Sequence, residues 1–257
     1  MKTEKVSDKT GLLPFIRIPR NMESSLNLMA KLVFLLALIY GCYGEPQDLS
    51  GKVFVIPMAT STSHVKLHAN VSKPISAMTM CQRFNSELER GQSLFSLATQ
   101  SHNNDLLLYK RSMGVYRVHI KGDQLDFISL PDSKNEWISI CWTWDSKTGL
   151  TQLWVNGKRS ARRILKPDTS VTGKPSIMLV QEQDSYGGGF DISQSFVGDV
   201  TDVHFWDNVI SSCEIQLYME FNRFTPGNIL NWKALQFTIE GKVFIENSDF
   251  KSECYNY

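Results

Sequence analysis

Trp137-Ile138-Ser139-Ile140-Cys141-Trp142-Thr143-Trp144 and, a few residues on, Leu153-Trp154-Val155-Asn156-Gly157-Lys158 decide the fold class. The first run is apolar, aromatic and β-branched, a composition that suits a strand. The second ends on Asn-Gly, which supplies the positive φ of a type I′ turn, so a hairpin is predicted there. Outward from this pair the chain breaks into similar short runs. Toward the N-terminus these are Lys52–Ile56 before Pro57, His64–Ala69, Ser76–Phe84, Leu94–Ala98, Leu106–Tyr109, Val115–Ile120 and Leu125–Leu130. Toward the C-terminus they are Leu235–Ile239 and Lys242–Ile245. One segment differs. Ser211 and Glu214 form a capping box ahead of Ile215, Leu217, Tyr218 and Phe221, which predicts a single short helix. Many short strands with one late helix predict an all-β, antiparallel sandwich or jelly roll. No linker or shift of composition divides residues 45–257, so one domain is expected there.

The start of the chain reads as a processing signal. Met29-Ala30-Lys31 precedes an apolar run, Leu32 to Tyr40, and then Gly41-Cys42-Tyr43-Gly44. A positive start, a short apolar core and a small exit residue describe a secretory signal peptide over residues 29–44. The run is far short of the roughly 18 residues of a membrane span. Residues 1–28 read as a leader extension or a mis-called start, with Met22 and Met29 both available as initiators. Export implies an oxidising environment. Without Cys42 four cysteines remain, Cys81, Cys141, Cys213 and Cys254, which permit three pairings and contain no C-x-x-C zinc spacing. Asn70-Val71-Ser72 is a glycosylation sequon. The formal net charge of +1 gives no global reason to expect nucleic acid or an anionic membrane as a partner.

The window Gln181 to Asp202 carries the chemistry. It holds Glu182, Asp184, Asp191, Asp199 and Asp202, no Lys or Arg, and Gly187-Gly188-Gly189. A glycine-rich loop can turn back on itself and converge oxygens. Calcium wants six to eight of them, and Glu182, Gln183, Asp184, Asp191 and Gln194 offer such a set. The competing reading is a solvated acidic loop. Lys158, Arg159, Arg162, Arg163 and Lys166 form a basic cluster, read as a solvated face or a patch for a polyanion or partner protein. His64, His68, His102, His119 and His204 sit in no nucleophile motif, and G-x-S-x-G and H-E-x-x-H are absent. No enzymatic activity is expected.

Gln181-Glu182-Gln183-Asp184-Ser185-Tyr186-Gly187-Gly188, with Phe190-Asp191 and Ser193-Gln194-Ser195-Phe196-Val197-Gly198, resembles the pentraxin family. So do Asp48 to Val55, Ser139 to Ser146 (with Ser139 where the family signature has histidine), Leu153 to Gly157 and Asn231 to Leu235. The resemblance runs from about Asp48 to Ile245, nearly all of residues 45–257.

It implies a jelly-roll protomer with the helix packed on one face, assembled as a cyclic homo-oligomer, usually of five. It implies a Cys81–Cys141 disulfide, with Cys213 and Cys254 left to bridge each other or to link protomers. It implies two calcium ions per protomer, held by Asn103 and Asn104 from an early loop and by Glu182, Gln183 (through its carbonyl), Asp184, Asp191 and Gln194. Glu182 is expected to bridge both ions. Asn103 replaces the family's usual aspartate, and Asp105, on the same side of an extended strand, is expected to compensate. Three carboxylates then face four positive charges, and a phosphate would balance the remainder. Tyr109 stands at the aromatic ligand position, His119 where some members have a second aromatic, and Gln124 at or near the acid that some aim at choline. Phosphocholine, phosphoethanolamine, and phosphorylated or pyruvylated sugars are the expected ligands. The implied function is calcium-dependent pattern recognition on microbial or damaged-cell surfaces, in innate immunity of acute-phase type. Complement or receptor proteins would be the partners of the opposite face. The alternative is a calcium-dependent lectin or matrix module of the same architecture.

Overall fold

The computed structural model describes residues 45–248, together with Met29 and Lys31. Apart from those two residues, the expected leader and signal segments lie outside the described residues, as do Cys42 and Cys254. Contacts divide the chain into Met1–Tyr43 and Gly44–Tyr257, and the second unit carries everything that follows.

The strands, in chain order, are β1 (Lys52–Ile56), β2 (His64–His68), β3 (Ala77–Asn85), β4 (Gln92–Thr99) and β5 (His102–Ser112). There follow β6 (Val115–Ile120), β7 (Asp123–Phe127), β8 (Ile138–Asp145), β9 (Leu150–Val155) and β10 (Lys158–Arg159). The last are β11 (Arg163–Ile164), β12 (Ser176–Leu179), β13 (Gly198–Trp206), β14 (Gln236–Glu240) and β15 (Phe244–Asn247). Helix α1 spans Ser212–Met219, between β13 and β14. An eight-stranded sheet runs β10-β9-β8-β3-β13-β1-β15, with β11 also on β9, and a seven-stranded sheet runs β14-β2-β12-β4-β5-β6-β7. Every strand pairing among the described residues is antiparallel. The inner faces close on one core, which includes Phe54, Phe84, Phe95, Leu106, Leu108 and Trp142. This is the expected all-β, antiparallel jelly-roll sandwich, with α1 on one face.

The opening stretch lies at its centre. β8 is buried on both faces, because the second sheet covers one and α1 the other. That is why its sequence does not alternate. The indoles of Trp142 and Trp144 are buried but satisfied, donating to Thr151 Oγ1 at 2.8 Å and to the Leu165 carbonyl at 3.0 Å. The β9–β10 hairpin turns at Asn156, whose φ is 46°. The disulfide joins Cys81 and Cys141, direct register partners on β3 and β8 and 60 residues apart. Closing a loop of that length contributes about 4 kcal/mol in the chain-entropy account.

The helix begins as its sequence predicts. Ser211 caps it, accepting from the Glu214 N–H at 3.1 Å. It lays Ile215, Tyr218 and Met219 on the disulfide, Trp154 and Trp206, on the outer face of the larger sheet. Cys213 is exposed with a free thiol among the described residues. Asn70 is exposed.

Three strands escape the sequence reading, among them the two-residue β11. β12 is only four residues long. β13 is central, between β3 and β1, but its register shifts between Thr201 and His204, and Asp202 has φ 53°. A bulge of this kind breaks the period-two pattern by which a strand is read.

Candidate metal centre

The acidic window divides in two. Asp199 and Asp202 belong to β13 in the larger sheet. The stretch from Gln181 to Ser195 instead packs on the second sheet. Its Ser185 and Gly188 exchange both backbone hydrogen bonds at 3.1 Å, with φ of 80° at Gly187 and 74° at Gly189. Only glycine adopts such a turn without strain. Beyond it, Ile192–Gln194 forms one 3₁₀ turn, with Asp191 accepting from the Ser193 N–H at 2.8 Å. Arg90 pins this turn from the side, donating through Nη1 to the carbonyls of Ser193 at 3.0 Å and Ser195 at 2.8 Å.

Asn103 and Asn104 meet this segment, but from within β5 rather than from a loop, which corrects the expectation. Asn103 Nδ2 donates to the Asp184 carbonyl at 3.1 Å, and Asn104 Nδ2 to Glu182 Oε1 at 3.3 Å. Two side-chain oxygens are left over. Asn104 Oδ1 and Gln194 Oε1 are buried with no hydrogen-bond partner among the described residues. An acceptor out of water with nothing to accept from is costly. A cation would satisfy both.

Gln183 is fully buried, and its side chain is taken up by the fold. Its Nε2 donates to the carbonyls of Ser96 at 3.1 Å and Ser176 at 3.0 Å, while its Oε1 accepts from the Gly187 N–H at 3.0 Å. What it has to offer an ion is its main-chain carbonyl, as the resemblance implies. Glu182 is 8% exposed. Burial raises its pKa and the charges of Asp184 and Asp191 add to that, while the Asn104 hydrogen bond and the charge of Arg117 oppose it. Three carboxylates are thus within electrostatic reach of one another. Among the described residues no three His, Cys, Asp or Glu side chains form a ready-made cage. The donors here are a mixture of carboxylates, amides and a carbonyl, which suits calcium and not zinc.

Asp105 does not compensate for Asn103. It is fully buried, accepts from Thr99 Oγ1 at 2.5 Å and pairs with Lys121 Nζ at 3.5 Å. An aspartate on the same side of an ideal strand was expected to reach the loop. Between the pairs Leu97–Leu106 and Thr99–His102, β4 advances two residues and β5 four, and this irregularity in β5 places Asp105 against Thr99 instead.

Beside Glu182 a cleft of about 390 Å³ is lined by Gly91, Tyr109, Arg111, Arg117, His119, Glu182 and Gln194. It lies on the outer face of the second sheet, since Leu106 and Leu108, which flank Leu107 along the strand, point into the core. Tyr109, Arg117 and Asp126 are in register across β5, β6 and β7, and so are Leu107, His119 and Gln124. Gly91 makes room for the tyrosine: a Cβ at this position would lie 2.3 Å from Tyr109 Oη. Burial and then the charge of Glu182 raise the Tyr109 pKa. Burial, reinforced by Arg117, pushes His119 down to about 4, so its ring is neutral at physiological pH. Gln124 faces His119 across the strand pair and is exposed, outside the cleft lining. Asp123 is paired with Lys166 at 3.1 Å.

Arg111 and Arg117 escaped the sequence reading. Their signal was present: they stand two residues from Tyr109 and His119, on the same face of their strands. Both bind Asp126, Arg111 Nη1 at 2.5 Å, Arg117 Nε at 2.6 Å and Arg117 Nη2 at 3.0 Å. The basic cluster is spread out instead. Lys158 donates to the Ser129 carbonyl at 2.8 Å, and Arg159 lies 5.1 Å from the Trp154 ring centre. A second groove of about 410 Å³ lies between Trp154, Arg162 and the start of α1, with Asp145 as the one carboxylate in its lining. It brings no set of oxygens together.

Among the described residues no helix is long and apolar enough to cross a membrane. The sequence profile of the Pentaxin family matches residues 52–247. C-reactive protein of Sus scrofa is 41% identical over 199 residues, 77% of this chain and 88% of that protein. Serum amyloid P-component of Bos taurus is 42% identical over 199 residues, with the same coverage of both. The crystal structure of the native heptameric SAP-like pentraxin from Limulus polyphemus superposes with a TM-score of 0.71 at 19% identity, covering 80% of this chain and 99% of that one. The chain belongs to the pentraxin family.

Proposed function

We propose that this is a secreted, calcium-dependent recognition protein of innate immunity, binding phosphate-bearing head groups or phosphorylated or pyruvylated sugars on microbial or damaged-cell surfaces. The observation that carries the proposal is the convergence of Glu182, Asp184 and Asp191 with two buried amide oxygens, Asn104 Oδ1 and Gln194 Oε1, that have no hydrogen-bond partner among the described residues. Asn103, Asn104, Glu182, the Gln183 carbonyl, Asp184, Asp191 and Gln194 would hold two calcium ions. Bound there, calcium would supply positive charge and open coordination positions for phosphate or carboxylate oxygens. Asn103 and Asn104 fix the loop from below, Arg90 fixes the 3₁₀ turn from the side, and Gln183 fixes the turn at its root. The donors are therefore held in place before an ion arrives. Tyr109 and His119 form the wall beside Glu182 against which the rest of a ligand packs.

The family and its ring-forming members support a cyclic homo-oligomer, with a pentamer as the expected form. Several sites on one face raise the affinity for arrayed ligands through effective concentration, with no new contacts. The face carrying α1 would remain for complement or receptor proteins. The leader, the signal peptide, a sugar on exposed Asn70 and the absence of catalysis complete the reading.

The test is retention of the mature protein on phosphoethanolamine and phosphocholine resins in calcium, followed by elution with a chelator. Retention that survives chelation, or no retention on either resin together with no calcium uptake, would overturn the reading.

A further inference from the structure

The cleft beside Glu182 is more positive than a head group with a cationic tail would favour. Arg111 and Arg117 both lean on one carboxylate, Asp126, so the cluster keeps a net positive charge. Asp126 uses Nε and Nη2 of Arg117 and Nη1 of Arg111. Arg117 Nη1 makes no hydrogen bond among the described residues, and neither do Nε and Nη2 of Arg111. These groups are already oriented, because the carboxylate that holds the fork leaves its other N–H groups directed elsewhere. They line the same cleft as Glu182 and Gln194. Glu182 at the near end offsets one of these charges, but in the calcium-bound protein that carboxylate would belong to the ion, so the far end stays positive. Nothing else there reverses the sign: His119 is neutral, Arg90 is turned to the carbonyls of Gly91, Ser193 and Ser195, Asp123 is held by Lys166, and Gln124 carries no charge.

We infer that the cleft selects phosphate ligands with a second negative group at the far end, which Arg111 and Arg117 bind. The inference rests on the proposed calcium-dependent reading, in which the phosphate docks at the Glu182 side of the cleft. A quaternary ammonium or amine pointing the other way meets two guanidiniums in a partly enclosed space, and like charges brought together repel. A carboxylate or second phosphate meets a fork of donors suited to it. The selected class is therefore a phosphate ester or acidic sugar with two separated anionic groups.

Two probes of nearly equal size isolate the far-end charge: 2-carboxyethyl phosphate and phosphoethanolamine, titrated by calorimetry into the intact assembled protein in calcium. The carboxylate probe should bind about tenfold more tightly, the scale of one charge-assisted contact. Arg111→Ala and Arg117→Ala should each reduce that preference, with calcium uptake at the parent level in Arg111→Ala and not weakened in Arg117→Ala, which removes a positive charge near Glu182. Asp126→Asn, which releases both arginines, should keep or enlarge it, whereas a purely structural ion pair would show no such pattern. Equal binding of the two probes, or tighter binding of the amine, would overturn the inference and leave calcium-dependent phosphate binding standing. A preference that survives loss of both arginines would overturn their assignment. No binding of either probe, with calcium taken up normally, would overturn the phosphate reading itself and the inference with it.

Discussion

Two arginine–aspartate clusters lie on opposite outer faces of the sandwich and differ in what remains once the internal contacts are made. Under α1, Arg83 is 1% exposed. Its Nε donates to Asp202 at 3.0 Å, and its two terminal nitrogens donate to the Ser139 hydroxyl and the Tyr218 carbonyl. The guanidinium lies 4.2 Å from the Tyr218 ring centre and 3.7 Å from that of Phe221. Asp202 also faces His204 Nε2 at 3.2 Å, and the Gly227 N–H directed at Nδ1 places the ring proton on Nε2. Burial alone would raise the Asp202 pKa, but the His204 hydrogen bond and the Arg83 charge outweigh it and hold it low. These contacts tie β3 to β8 and β13 and, through the Tyr218 carbonyl and the two rings, fasten the helix to the sheet. On the other face the side chains of Arg111 and Arg117 are 54% and 22% exposed and share one aspartate. The chemistry is the same on both faces. Burial and the number of partners per arginine decide whether it is used by the fold or left for a ligand.

The largest effect that would test this contrast is at Arg83. Arg83→Met removes one partner of a buried pair and leaves Asp202, Ser139 and the Tyr218 carbonyl without it. The expected cost is about 3–5 kcal/mol. It is measured as a shift of the urea unfolding midpoint, with calcium absent so that the metal site does not contribute. A loss below about 1 kcal/mol, the ordinary value for an exposed pair, would erase the distinction between the two clusters.

Glu182→Ala comes next. A ligand that binds only the folded state at a hundred times its dissociation constant stabilises it by about 2.7 kcal/mol. The parent should gain stability of that order on adding calcium, and the variant should gain little. Without calcium the variant should be no less stable than the parent, because it loses a buried carboxylate that crowds Asp184 and Asp191. An undiminished calcium response would remove Glu182 from the site.

Much of this was written in local sequence. Val115–Ile120 was read with its bounds exact, and the Ser211 cap placed the helix start. The Asn156 turn and the Gly187–Gly189 loop were legible because their chemistry is local. Two kinds of feature were not. β13 was hidden by its bulge at Asp202, so two of its acids were counted with the loop. Strand alternation misplaces Asp105, because β5 itself is irregular there and carries extra residues opposite β4. Alternation places Arg111 and Arg117 on the faces of Tyr109 and His119, but that the two arginines share Asp126 across three strands is visible only once register is known.

Gly91→Ala sharpens the ligand side of the contrast. The new methyl would lie 2.3 Å from Tyr109 Oη, so the ring must move, into the cleft or away from it. Overpacking of this kind costs about 1 kcal/mol where a ring can yield. Binding of a phosphate probe should fall severalfold while calcium uptake, which does not use Tyr109, stays at the parent value. Unchanged probe binding would show that the Tyr109 wall is not part of the recognition surface.

The smallest expected effect is the stability cost of Arg117→Ala, and its pH dependence gives it meaning. The hydrogen bond from Arg117, opposed by burial and supported by Arg111, holds Asp126 below the ordinary carboxylate range. A group whose pKa is depressed on folding contributes stability above its unfolded value, and that contribution fades as pH falls through the folded one. The difference between parent and variant should therefore be flat from about pH 5 to pH 8 and shrink toward zero below about pH 4. Its plateau should not exceed about 1 kcal/mol, because the pair is partly solvated and Arg111 remains on Asp126. A plateau of several kcal/mol would mean that the open cluster is as structural as the buried one. A small plateau together with a lost anion preference is the combination expected of a pair that the fold barely needs and the ligand does.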